Sequence, residues 1–243
     1  MVWFPVQLMA LDLFSAHGKK DGSVALFCFS PPVILITFTI EAALAIYAWW
    51  RYHSSRFGRL SSALLFTLSL FQISEWFICR GGSAVLWSRV GFVATAFLPV
   101  MGLDLIAMLT KRKWPTWLGY GLVAAFSAVF VFLPDAFTGA ACTGKFVVFN
   151  GGSLLLDILY GSYYFLTTLL GIVWCIIDLC RRTLNRRAIS WLLAGYLAFC
   201  LPVLAIYIFI LVNRAGFASI LCGFAVLFAL ALALKVLPAV EKV

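Results

Sequence analysis

Glu41, Glu75, Asp104 and Asp157 each fall inside a long apolar run, where a carboxylate has the wrong solvent. Glu75 stands in Leu70-Phe71-Gln72-Ile73-Ser74-Glu75-Trp76-Phe77. A charge in hydrocarbon is costly, so an ionisable residue in a spanning segment faces the protein interior and marks an ion route, a proton relay or a ligand pocket. The chemistry open to such residues is the binding and release of a proton or a cation. Glu41 has no basic residue at its depth, so it is expected to be neutral or to hold a cation. Arg80 and Arg89 fall at the level of Glu75 and Asp157, and an ion-paired cluster is expected there.

Helical spacing groups these residues further. Ser69, Gln72, Glu75 and Cys79 recur close to one helix face, and Asp157, Tyr160, Tyr164 and Thr168 make a second polar stripe. The expected ion- or ligand-binding set is therefore Gln72, Glu75, Glu41, Asp104, Asp157, Arg80, Arg89 and Tyr160. Glu75, Glu41 and Asp104 descend from outer through middle to inner depth, an order that suits a proton or cation route. The competing reading is that these groups only tie helices together by hydrogen bonds. Asp178 lies beside Arg181 and Arg182 and reads as an interfacial ion pair.

The elements that must position these residues follow from composition. The chain is 64% hydrophobic and 11% charged with a mean hydropathy of +1.06, half the charge of an average soluble domain. A membrane span takes about 20 mostly apolar residues. Seven are read: Pro31–Trp50, Leu60–Cys79, Trp87–Leu109, Trp114–Leu133, Leu154–Cys180, Ala188–Val212 and Phe217–Leu237. They are too long and too uniformly apolar for the alternating strands of a barrel. The expectation is an all-α seven-transmembrane-helix bundle, a single domain over residues 28–243. Residues 1–27 lack the basic start of a signal peptide and read as an amphipathic segment on the outer leaflet.

Basic residues orient the bundle. Twelve of the eighteen Lys and Arg lie in the loops after spans one, three and five or at the C-terminal end. The positive-inside rule then puts the N-terminus outside and the C-terminus in the cytoplasm. The net charge of +9 is thereby loop charge, and no nucleic-acid partner is expected. Trp49, Trp50, Trp87, Trp114 and Trp117 lie near the predicted interfaces, as aromatic belts do. The longest loop, Pro134–Ser153, is outside and placed to cover the outer mouth. Pro99 and Pro202 fall inside spans three and six and are expected to kink them, with Pro99 opening a cavity wall one turn before Asp104.

Cys28, Cys79, Cys142 and Cys222 lie at or near the outer face, where disulfides persist. Cys28 with Cys142 is the expected pair, both being outside helices. Cys175, Cys180 and Cys200 read as small buried or inner-leaflet residues. No metal-ligand spacing, nucleophile–base pair or nucleotide loop is found, so an enzyme is not expected. His17 and His53 lie on opposite sides of the membrane, which argues against a bis-histidine haem. Lys235, near the inner end of span seven, reads as a snorkelling lysine. The residue one turn earlier is Ala231 rather than an acid, which argues against a retinal Schiff base.

Three stretches resemble an uncharacterised bacterial multi-span membrane family known by an N-terminal Cys-Phe-Ser signature. They are Cys28-Phe29-Ser30, then Leu65-Phe66 through Phe71-Gln72 to Glu75-Trp76, and last Ser219-Ile220-Leu221-Cys222-Gly223-Phe224-Ala225. Members usually begin at the signature, whereas 27 residues precede it here, and the family's paired Gln and the Gly after Glu are missing. The resemblance implies a multi-helix protein of a bacterial plasma membrane with no established activity. It groups Cys28, Gln72, Glu75 and Cys222 at mid to outer depth. The functional expectation is an ion, proton or small-solute transporter or channel centred on Glu75. A seven-helix sensor signalling through a partner and a structural subunit are the alternatives. The bilayer is the expected partner, with room for a second copy or another membrane protein.

Overall fold

Against lipid, apolar character no longer marks the inside of a protein; polar character does. The helix Arg56–Cys79 shows this plainly: Ser61, Ser62, Ser69, Gln72, Ser74 and Glu75 are all buried, while Phe66 on the same helix is 62% exposed. The computed structural model describes residues 31–143, 146–181, 185–209 and 217–241. Residues 1–27 and Cys28 lie outside them.

The helices are α1 (Pro31–Tyr52), α2 (Arg56–Cys79), α3 (Ala84–Thr110), α4 (Thr116–Phe132), α5 (Leu154–Cys180), α6 (Arg186–Phe209) and α7 (Phe217–Ala231). A π-helical turn, Leu232–Val236, carries α7 into the short α8 (Leu237–Glu241). Six of these stretches are long and apolar enough to cross a membrane, the mark of a polytopic membrane protein. α4, with 17 residues, is shorter. At about 1.5 Å per residue it falls short of a hydrocarbon core roughly 30 Å thick.

Local chemistry explains the ends. Ser55 caps α2 by accepting from the Gly58 N–H at 2.9 Å, and Ser83 caps α3 through the Leu86 N–H at 3.4 Å. Lys111, left-handed at φ 54°, terminates α3. Pro115 stands just before α4, where its missing N–H costs nothing, and so trims the start expected at Trp114. α3 continues as one helix through Pro99, and α6 through Pro202.

α2 packs along α1 and α3, α6 along α7, and α7 closes the bundle against α1 and α2. α4 and α5 pack on α3 and turn most of their surface outward, as Trp117 at 76% and Leu155 at 66% exposure show. One close approach is set by Gly102 on α3, where a Cβ would run into the Tyr196 hydroxyl of α6.

The segment expected as a long loop holds two strands, the exception to an otherwise helical fold among the described residues. After a 3-10 turn at Pro134–Ala136, β1 (Phe137–Cys142) and β2 (Val147–Gly151) form an antiparallel hairpin. It packs on the ends of α2 and α3, with the Phe149 ring 5.9 Å from Phe71 and 5.2 Å from Phe92. This is the hairpin end of the bundle. The opposite, basic end carries Arg51, Arg56, Arg59, Lys111, Arg112, Lys113, Arg181, Arg186, Arg187 and Lys235.

The disulfide differs from expectation. Cys142 is bonded to Cys79, not to Cys28, with the two Cα atoms 5.1 Å apart. Cys79 is the last residue of α2, so its side chain is free to meet the hairpin that lies over that helix end.

Candidate functional site

α1, α2 and α7 meet around Glu41, Gln72 and Glu75, whose exposures are 0%, 1% and 1%. The geometry follows from helix direction. Side chains lean toward the N-terminus of their own helix. α1 and α2 run oppositely, so Glu41 leans toward the hairpin end and Glu75 leans away from it. The two carboxyls come within electrostatic reach of one another, and no basic side chain among the described residues acts on either.

α7 supplies the remaining polar groups. The Gln72 Nε2 donates to the Cys222 carbonyl at 2.9 Å. The Ser219 hydroxyl donates to Glu75 and accepts from the Val147 N–H of β2 at 3.3 Å. The hairpin backbone is thereby joined to Glu75 through one serine. The Cys222 thiol is free and buried, within electrostatic reach of both glutamates.

Three oxygens are left over. Both carboxyl oxygens of Glu41 and the Oε1 of Glu75 are buried without a hydrogen-bond partner among the described residues. Buried polar atoms without partners are rare, because each forfeits its hydration with nothing in return. Beside Glu75, though not lined by Glu41, lies a cavity of about 10 Å³ bounded by Val33, Ile34, Thr37, Gln72, Glu75, Ser219 and Gly223. That is room for about one water. The Thr37 hydroxyl proton is committed to the carbonyls of Val33 and Ile34, at 3.1 and 2.9 Å, which leaves the oxygen as an acceptor.

Of the residues expected to act together, Gln72, Glu75 and Glu41 come together and the rest do not. Asp104 belongs to the basic end. It takes a long 3.5 Å bond from the Trp114 Nε1 and a second from the Tyr120 hydroxyl. The three-step ladder of carboxylates thus has two rungs. Neither Pro99 nor Asp104 lines the cavity.

The expected ion-paired cluster is absent among the described residues. Arg80 is exposed, with its guanidinium 5.2 Å from the Trp76 ring. Arg89 donates to the carbonyls of Val131, Leu133 and Pro134 at 3.1 to 3.2 Å, closing the C-terminal end of α4. Asp157 is exposed in the first turn of α5, beside Gly151. Arginine finds abundant carbonyls and water at a helix end, so a buried carboxyl one or two turns deeper is not its best partner. Tyr160 sits among the rings of Phe92, Phe126 and Phe130 and shares a 2.7 Å hydrogen bond with Thr95. Asp178 pairs with Arg112 of the α3–α4 connection at 3.0 Å, not with Arg181.

Sequence reasoning missed Thr37 and Ser219. Thr37 precedes Glu41 by one turn, and Ser219 precedes Cys222 and Gly223 by the same interval, so helical spacing carried both signals. The role of Val147 had no signal, since it is played by a backbone N–H.

No protein-family model matches the chain, and no curated protein does.

Proposed function

We propose that this protein moves a proton or another small cation across a membrane through the site formed by Glu75, Glu41, Gln72 and Ser219. The observation that carries the reading is the set of three buried carboxylate oxygens without partners among the described residues, one of them on Glu75, which lines a cavity of about 10 Å³. A scaffold role would use those oxygens as acceptors between helices, as Asp178 uses its own toward Arg112. Left free, they are places where an ion is taken up and released.

In this reading all seven helices cross the bilayer, with the hairpin end outside and the basic end in the cytoplasm. The positive-inside rule supports that orientation, and the Cys79–Cys142 disulfide suits an oxidising outer compartment. The short α4 crosses by local thinning of the bilayer, anchored by Trp114 and Trp117 at its start. The resemblance to the Cys-Phe-Ser family fits a bacterial plasma membrane and supplies no activity of its own.

Flux into liposomes containing the purified protein tests the reading. Glu75→Gln should abolish ion uptake while leaving the amount and folding of the protein unchanged. Undiminished flux would remove Glu75 from the mechanism.

A further inference from the structure

We propose that the ion exchanged at this site is a proton, received from the hairpin end at Glu75 and passed on to Glu41; this rests on the transport reading above. Two carboxylates in hydrocarbon with no basic partner among the described residues cannot both carry bare charge, so something positive must accompany them. The choice is between protons and a metal cation, and three observations separate them.

The first is the number of donors. A divalent cation takes roughly six to eight oxygens, or a strict octahedron. The site leaves three oxygens without partners, and they belong to two residues at successive depths. The Thr37 oxygen adds one more acceptor at the cavity, still short of that number, while the Gln72 Nε2 is engaged with the Cys222 carbonyl and the Ser219 hydroxyl with Glu75. Among the described residues no group of three His, Cys, Asp or Glu side chains is placed to hold a metal.

The second is the backbone. Membrane helices that coordinate alkali cations do so where they unwind and free their carbonyls. α1 and α2 pass through the site as unbroken helices, and the π-turn after α7 begins at Leu232, well past Ser219 and Cys222. No carbonyl is released here to replace a hydration shell. A proton asks only for one lone pair.

The third is access. The cavity touches Glu75 and reaches Val33 and Ile34 near the start of α1. It has room for about one water, the least that can hand a proton to the Glu75 carboxyl. Beyond Glu41, toward the basic end, Ala45, Ala48, Leu64 and Leu65 close the interior at 0 to 4% exposure. The cavity thus lies on the Glu75 side, near the start of α1, whereas the interior beneath Glu41 is packed. The titratable group facing the pair from α7 is Cys222, and Tyr160 and Tyr164 on α5 face Cys222 in turn. Among the described residues, α3 and the hairpin bring no charged side chain to the pair.

Dicyclohexylcarbodiimide tests the proposal on the wild-type protein in lipid. It adds to protonated carboxyls in apolar surroundings, and peptide mass spectrometry reads the adduct. The expected result is an adduct on Glu75 or Glu41 that falls by about tenfold per pH unit once the group titrates, whatever the Na⁺ or K⁺ concentration. Glu75→Gln and Glu41→Gln should each remove their own adduct. Protection by Na⁺ or K⁺ would overturn the proton in favour of a metal cation and leave the transport reading standing. No adduct on either glutamate at any pH, with labelling after denaturation, would also overturn it. A pH-dependent adduct without flux of H⁺, Na⁺ or K⁺ into liposomes would uphold the proton site and remove the transport reading instead.

Discussion

Asp178 and Glu41 are buried almost equally, at 4% and 0% exposure, yet their surroundings are opposed. Asp178, toward the basic end, meets Arg112 at 3.0 Å, and the same guanidinium lies 5.4 Å from the Trp174 ring. Asp104, in the same half, has Trp114 and Tyr120. Among the described residues Glu41, toward the hairpin end, has no hydrogen-bond partner, and Glu75 has one for only one of its oxygens. The carboxylates near the basic end are part of the frame. Those near the hairpin end leave acceptors free, which is what an exchange site requires. Burial alone does not distinguish the two kinds; the partner inventory does.

Four substitutions would break or sharpen this contrast. The largest loss of stability should come from Cys142→Ser. The disulfide spans 63 residues, and the chain-entropy argument puts its removal at about 4 kcal/mol. Chemical denaturation in detergent micelles with and without reductant reads this; equal midpoints for wild type and variant under oxidising conditions would show that the hairpin holds without its latch.

Asp178→Asn should follow at about 3 kcal/mol, the lower end of the range for stranding a buried ion-pair partner. The lower end applies because the Arg112 side chain remains 25% exposed to solvent. Arg89→Ala removes three hydrogen bonds to the end of α4 and should cost about 1 to 2 kcal/mol. An effect on ion flux comparable to that of Glu75→Gln would instead place Arg89 in the site.

The smallest effect is the sharpest test. Glu41→Gln makes the same acid-to-amide change as Asp178→Asn but strands no partner, so stability should change by less than about 1 kcal/mol in either direction. A loss as large as that of Asp178→Asn would mean that Glu41 has a structural partner, and the contrast between the two ends would collapse.

Much of this arrangement was legible in the chain. A run such as Leu154–Cys180 is too apolar and too long for anything but a spanning helix, and its bounds match the structure to the residue. Gln72 and Glu75, three apart on one helix, had to share a face. The errors share a cause. Depth along a helix is readable from sequence and sets Arg80 and Arg89 level with Glu75, but the direction in which a helix faces its neighbours is not. Asp157 looked intramembrane by position, yet it lies in the first turn of α5, where the chain reaches the surface. Cys79 was passed over as helical, although the last residue of a helix is free to meet a hairpin.

Composition and periodicity by themselves determined that this is a helical membrane protein, where its helices run, and that its polar residues turn inward. The reason is that the bilayer tolerates no unpaired backbone and few charges, which leaves the chain little choice. Tertiary structure alone decided which carboxylates are partnered. α7 folds back against α1 and α2, more than 140 residues away in sequence, and only that contact sets Ser219 and Cys222 beside Glu75 while leaving Glu41 without a partner. Hydrogen-bond partners depend on separations of a few tenths of an ångström across helices, and spacing along one helix does not carry that information.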